Sequence, residues 1–279
     1  MNGLLVVNKD KDMTSRDVVN IISKKFNTKK VGHTGTLDPI ASGVLVVAIG
    51  KYTKLVDIIT SEVKEYVATM KLGMLTDTLD TTGKILDKKD YSFSKEELVN
   101  VLNSFKTTYL QEVPKYSAVK INGKKLYEYA RNNIDIELPK REVTIYDIEL
   151  LEYNKDTIKF RCLVSKGTYI RSLIRDIASK LNTYASMSDL IRTKQGIFDI
   201  NNSYSLDDIK NDRYELLTYK DIFSEYKHIV LNDEEYFKVS NGQKMKFNSN
   251  KNIILLTYKN EYIAMYEKDN DLYRIKVMF

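Results

Sequence analysis

Apolar positions along this chain follow two spacings, and the two alternate through most of its length. GLLVVNK, at Gly3–Lys9, is a continuous apolar run and reads as a buried strand. Val18, Val19, Ile22 and Phe26 then recur at helical spacing, and Thr14 with Asp17 has the spacing of a capping box that opens this helix. Val44–Ile49 is apolar on every residue; its β-branching favours a fully buried strand over a helix segment. Thr53–Ser61 reads as a short helix. KEYVATMKL alternates, which puts Tyr66, Ala68, Met70 and Leu72 on one face of a strand. Ser94 and Glu97 open a second capped helix running to Phe105, and Lys125–Asn133 reads as a third.

REVTIYDIELLEY and DTIKFRCLVSK read as neighbouring strands joined by a turn near Asn154–Asp156, the second ended by Gly167. TYIRSLIRDIASKL follows as a helix whose apolar face carries Ile170, Leu173, Ile174, Ile177 and Leu181. Past about Tyr226 the helical period disappears. HIVLN, NIILLTY, EYIAMYE and DLYRIKVMF are short strand candidates separated by SNGQK, KNE and KDND. This texture predicts a small all-β module over Lys227–Phe279, a compact barrel, after a larger domain over 1–226.

Composition narrows the chemistry. The 279 residues suffice for one large domain and a small one, and a formal charge of +6 suits an anionic partner such as nucleic acid. Cys162 is the single cysteine, on the apolar face of an alternating strand, so it reads as a core residue rather than a nucleophile. His33 and His228 are the only histidines, which leaves no His/Cys zinc set. No run has the length of a membrane span, and Leu4–Val7 is too short for a signal peptide, so the expected compartment is the cytoplasm and no membrane partner is expected.

The stretch VGHTGTLDPIASGVLVVAIG places one carboxylate, Asp38, between a Gly/Thr-rich turn and an apolar run. Taken alone, Asp-Pro shapes a turn, and the glycines lack a Walker ending. The combination with distant segments changes this. GHTGTLDP followed by SGVL and GxxTK resembles the TruB family of pseudouridine synthases. So do LVVNKDKDMTS, KEYVATMKLGMLTDTLDTTG, VPKYSAVKINGKKLYEYAR, SKGTYIRSLIRDIA and LIRTKQG, in the family's order from Leu4 to Gly196. The family pattern has proline and glycine where this chain has Asp10 and Asp12, and arginine is common at Leu75.

The resemblance implies an α+β fold, a central mixed and largely antiparallel sheet with flanking helices and an active-site cleft. It likens Lys227–Phe279 to a PUA-type RNA-binding domain. It implies a cofactor-free isomerisation of uridine to pseudouridine at position 55 in the T loop of tRNA, after the base is flipped. Asp38 would be the catalytic aspartate, Arg171 its partner, and Tyr66 the stacking platform that could also handle a proton. Tyr169, Leu190 and His33 would contact the displaced nucleotide, and Lys9 would reach the active-site or RNA surface. Each type suits the chemistry: a carboxylate as nucleophile or base, a cation to keep it ionised in a dry pocket, an aromatic for the detached base. Without the resemblance, Arg171 reads as a solvent-facing helix charge and Tyr66 as core. Asp77 and Asp80 read as solvated loop carboxylates, and no metal is assigned. Lys24, Lys25, Lys29 and Lys30 flank the catalytic loop and suit an RNA backbone. No protein partner is evident. A non-catalytic protein that binds and folds tRNA would use many of the same residues, and a nucleotide-binding enzyme is disfavoured by the missing phosphate-loop fingerprint.

Overall fold

The protein is described here by a computed structural model covering residues 1–279. Nine strands form one sheet: β1 (Gly3–Lys9), β2 (Val31–His33), β3 (Ala41–Ile49), β4 (Lys64–Leu72), β5 (Thr108–Glu112), β6 (Lys140–Tyr153), β7 (Thr157–Val164), β8 (Ala185–Gln195) and β9 (Phe198–Asp199). Their order is β1-β3-β8-β4-β7-β6-β5, with β2 on β3 and β9 on β8. Only β8 and β3 run parallel, over Leu190–Arg192 against Ala41–Gly43. The sheet is therefore mixed and largely antiparallel, as expected.

Helices α1 (Ser15–Lys25), α2 (Lys95–Asn103) and α3 (Ile170–Lys180) flank it. The capping boxes at Thr14/Asp17 and Ser94/Glu97 both form. The alternation in β4 and β7 buries Tyr66, Ala68 and Met70 with Ile158, Phe160 and Cys162, in one cluster with Ile170, Leu173, Ile174 and Ile177 of α3. Thr53–Ser61 becomes a 3₁₀ turn, Gly50–Leu55, leading into a short α-helix, Val56–Thr60; Lys125–Asn133 shortens to Leu126–Arg131.

The C-terminal segment forms its own sheet from β10 (Lys227–Val230), β11 (Ile253–Tyr258), β12 (Glu261–Asp269) and β13 (Leu272–Met278). It differs from the all-β barrel expected: the path is an open four-stranded one, and helix α4 (Asp233–Ser240) crosses between β10 and β11. Val239 is the only buried residue of α4, so no apolar stripe marks it; its signal is the capping box of Asn232 with Glu235.

The small sheet does not stand apart. Leu255 and Met265 are fully buried in a cluster with Leu4, Val6, Val44, Val46 and Ala48 of β1 and β3. Tyr52, Tyr219 and Phe279 join the same cluster, with Tyr52 and Tyr219 stacked at 4.1 Å between ring centroids. The face of β1 and β3 turned away from α1 is thus covered by the C-terminal segment.

Truncation after Tyr226 should therefore destabilise the remaining chain. Uncovering a few fully buried aliphatic contacts costs about 1.5–3 kcal/mol each, enough to lower the melting temperature by roughly 10 °C or more. Thermal unfolding of residues 1–226 checks this; a monodisperse fragment melting with the full chain would show that the cover contributes nothing.

Candidate active site

Strand β3 is shared along one edge. Strand β2 takes its C-terminal part, with His33 opposite Val47, and β8 takes its N-terminal end. The loop Thr34–Ile40 arches between these two contacts and carries Asp38. Gly43 makes the parallel approach possible: at φ +101° a Cβ there would lie 2.3 Å from the Arg192 carbonyl oxygen.

Polar groups hold the loop from beneath. Gln195 Nε2 donates to the Thr34 carbonyl and hydroxyl at 2.7 and 2.9 Å. The Leu37 N–H donates to Ser15 Oγ at 2.9 Å, and the Asp12 N–H to the Pro39 carbonyl at 2.8 Å. Asp12 stands where the family pattern has glycine and adopts a left-handed φ of +62°. Aspartate tolerates that region better than most residues, so the turn survives the replacement.

Asp38 meets Arg171 in a two-point pair. Arg171 Nε donates to Oδ2 at 2.8 Å and Nη2 to Oδ1 at 3.1 Å. Arg171 sits in the first turn of α3 and is 6 % exposed at its side chain, whereas Asp38 is 33 % exposed and open to the cleft. The helix reading of Arg171 as a solvent-facing charge does not hold. Two further donors are used as well: Nη1 donates to the Thr78 carbonyl at 2.9 Å and Nη2 to the Tyr116 carbonyl at 3.1 Å. One guanidinium thus gathers the Asp38 loop, the TDTLD loop and the VPKYSAVK segment. A fork of this kind fixes the carboxylate in position as well as in charge.

The TDTLD loop also departs from expectation. Asp80 is not solvated; it is 6 % exposed, and its Oδ1 accepts from Thr78 Oγ1 at 2.8 Å, Thr82 N at 3.0 Å and Thr82 Oγ1 at 2.6 Å. The loop is tied to β8 by Met187 N–H donating to Leu79 O at 2.9 Å and Thr81 N–H donating to Met187 O at 2.9 Å. Gly83 lets the turn close, since a Cβ there would lie 2.2 Å from Thr78 Oγ1. The carbonyl that Arg171 uses therefore has a rigid base.

Tyr66 and Leu190 come from adjacent strands at the centre of the sheet, Tyr66 opposite Arg192 and Leu190 opposite Ala68. Both are buried. Burial raises the Tyr66 phenol pKa; Arg192 opposes that shift by its charge and a hydrogen bond, and the negative charge of Asp38 adds to it. Tyr66 is at once part of the core cluster and within electrostatic reach of Asp38. Tyr169 is the N-cap of α3, its N–H held by Gln111 Oε1 at 2.8 Å, two residues before Arg171. His33 is half-buried at the start of the Asp38 loop. Burial lowers its pKa, and the charges of Arg16 and Arg192 push the same way, so the ring is neutral near pH 7. The Gly35 N–H donates to Nδ1 at 3.3 Å, which leaves the ring proton on Nε2.

Lys9 reaches no RNA-facing surface, although the charge of Asp38 acts on it from the cleft. It is fully buried, and its ammonium donates to the carbonyls of Asp10 and Met13, both at 2.8 Å, holding the turn that braces the Asp38 loop. Among the flanking lysines, Lys25 pairs with Asp212 at 2.7 Å, away from the loop. Sequence reasoning passed over Arg192, Lys64 and Gln195, all buried beneath the loop. The available signal for Arg192 was its place two residues after Leu190 in a strand, which sets both on the face of Tyr66.

The fold is similar to a chain in a structure of an H/ACA RNP bound to a substrate RNA containing 2′-deoxyuridine, with a TM-score of 0.71 at 24% identity, over 99% of this chain and 84% of that one. A chain of a Cbf5-Nop10-Gar1 complex matches with the same score and coverage. Residues 23–170 match the model of the TruB family pseudouridylate synthase N-terminal domain, and 171–232 that of the tRNA pseudouridylate synthase B C-terminal domain. The chain is 44% identical to tRNA pseudouridine synthase B of Clostridium tetani, over 96% of this chain and 93% of that protein. It is 43% identical to the protein of the same name from Acholeplasma laidlawii, over the whole of both. The chain belongs to the TruB family of pseudouridylate synthases, and it is an enzyme of that kind.

Two outcomes follow from this geometry. Arg171→Lys keeps a positive charge but cannot fork a carboxylate and reach two carbonyls, so the single-turnover rate should fall on the order of a hundredfold or more. A near-wild-type rate would remove the pair from the chemistry.

The second concerns pH. Burial lowers the pKa of Lys9 and of Lys64 from 10.5 to about 8, the charge of Arg192 adding to both. The unfolded chain therefore binds more protons than the native one between about 8 and 10.5, and these lysines make stability rise with pH in that window. Urea midpoints measured from pH 7.5 to 10.5 should climb less steeply in Lys9→Met than in the wild type. An identical slope would show that the Lys9 ammonium is not desolvated.

Proposed function

We propose that this enzyme isomerises uridine to pseudouridine in the T loop of tRNA, at position 55, with Asp38 as its catalytic group. The observation that carries the reading is the two-point pair: a carboxylate open to the cleft, held by a buried arginine with no other anion beside it. The relatives named tRNA pseudouridine synthase B supply the substrate. The cytoplasm is where such a substrate would be met.

The glycosidic C1′–N1 bond breaks, the base turns while held, and C5 joins C1′; C5 gives up a proton and N1 gains one. Asp38 acts at C6, at C1′ or on the 2′ proton, and every one of these needs the ionised carboxylate that Arg171 favours. Tyr66 would lie under the detached base, beside Leu190 and Tyr169, and His33 beside the flipped nucleotide. Extruding the base costs a few kcal/mol, which phosphate contacts from surface lysines offset. On this reading residues 1–226 form the catalytic domain, and 227–279 a PUA-like module that meets RNA with lysines such as Lys246 and Lys251 while covering the sheet. A protein that only binds and refolds tRNA would have no need of a buried arginine aimed at one carboxylate.

Asp38→Asn is nearly isosteric yet neither nucleophile nor base, so it should leave tRNA affinity within about tenfold and abolish turnover. The check is chemical mapping of pseudouridine in tRNA, since isomerisation leaves mass unchanged. Residual single-turnover isomerisation above background would refute the role of Asp38, and modification outside the T loop by the wild type would refute the site.

A further inference from the structure

Arg192 is the largest fully buried side chain in the protein, and no carboxylate pairs with it. A guanidinium in that position is costly unless its donors are used, and a structural cation would ordinarily be placed beside an anion. Two of its five N–H donors go instead to the segments that carry Asp38. Nε donates to the Val44 carbonyl at 2.6 Å, in the strand that follows the Asp38 loop. Nη2 donates to the Gly35 carbonyl at 3.0 Å, in the loop itself, three residues before Asp38. Across the antiparallel pair, Arg192 is the direct partner of Tyr66, so both side chains leave the same face of the sheet.

We propose that Arg192 is a positioning residue for the reaction: it fixes the Asp38 loop against the sheet through Gly35 and sets the Tyr66 hydroxyl beside a fixed positive charge. It acts through Asp38 and Tyr66 and touches neither base nor ribose. The neighbouring groups are consistent with an unneutralised cation. Lys9 from β1, Lys64 from β4 and His33 from β2 all feel its charge as repulsion, Tyr66 feels it as stabilisation of the phenolate, and Asp38 and Cys162 face Tyr66 from the loop and from β7. The cost of holding this charge beside two buried lysines is explained if the charge serves the site rather than the core.

The inference rests on the proposed reaction, so wild-type enzyme and Tyr66→Phe are assayed in parallel; a wild type that makes no pseudouridine would fail that reading, not this one. Arg192→Lys keeps the charge and loses the fork, and Arg192→Gln keeps hydrogen-bonding capacity and loses the charge. Both should bind tRNA within a few-fold of wild type and lose about ten- to a hundredfold in single-turnover rate at saturating tRNA, the range that a small misplacement of reacting groups costs. The charge contribution is read separately. The alkaline limb of the pH–rate profile should move to higher pH in Arg192→Gln, stay in place in Arg192→Lys, and be absent in Tyr66→Phe. A folded variant with a wild-type saturating rate and profile overturns the proposal, and so does failure of both variants to fold, which would make Arg192 a stability residue alone.

Discussion

The structure depends on one buried guanidinium. Arg171 leaves water at a cost of several kcal/mol, which its hydrogen bonds must offset. Asp38 accepts two of these bonds, and the carbonyls of Thr78 and Tyr116 accept two more, so four of the five N–H groups are used. These partners lie on three segments far apart in the chain, so the site exists only when all three loops are in place together. The remaining local structure, from the Asp80 knot to the N-cap at Tyr169, reads as support for those four atoms.

The Asp38 loop is held with equal redundancy. Ser15 and Asp12 brace its C-terminal half, Gln195 and Arg192 its N-terminal half, and all four anchors belong to elements of the sheet or lead into α1. A carboxylate on an unanchored loop would otherwise sample many positions, and a site built on strands is more precise than one left to loops. The underside of the loop is consequently polar and cationic, and His33 and the two lysines have lowered pKa values because they are buried, with that local charge adding to the shift.

The C-terminal segment shows how much a packing face can conceal. Its strands are short apolar runs and its turns are rich in Asn, Gly and Asp, which marks them in the sequence. Helix α4 buries one residue and carries no apolar stripe, so periodicity passes over it, although its cap residues are visible. The contact of Leu255 and Met265 with β1 and β3 has no local sign at all, because a strand that is apolar on both faces reads the same whichever surface covers it.

By itself the sequence determined the main strands, the capped helices α1 and α2, the buried face of Cys162 and, through six segments in order, the family and its central pair Asp38 and Arg171. Those features are local: a period, a cap, a spacing. The tertiary structure decided that Lys9 is a buried brace rather than a surface cation, that Asp80 is a knot rather than a solvated carboxylate, that Asp12 turns as glycine would, and that Arg192 lies beneath the Asp38 loop. The reason is the same in each case. Whether a polar side chain faces water or a buried carbonyl depends on which distant segment is brought against it, here by the single parallel pairing of β8 with β3, and no periodicity along the chain encodes that pairing.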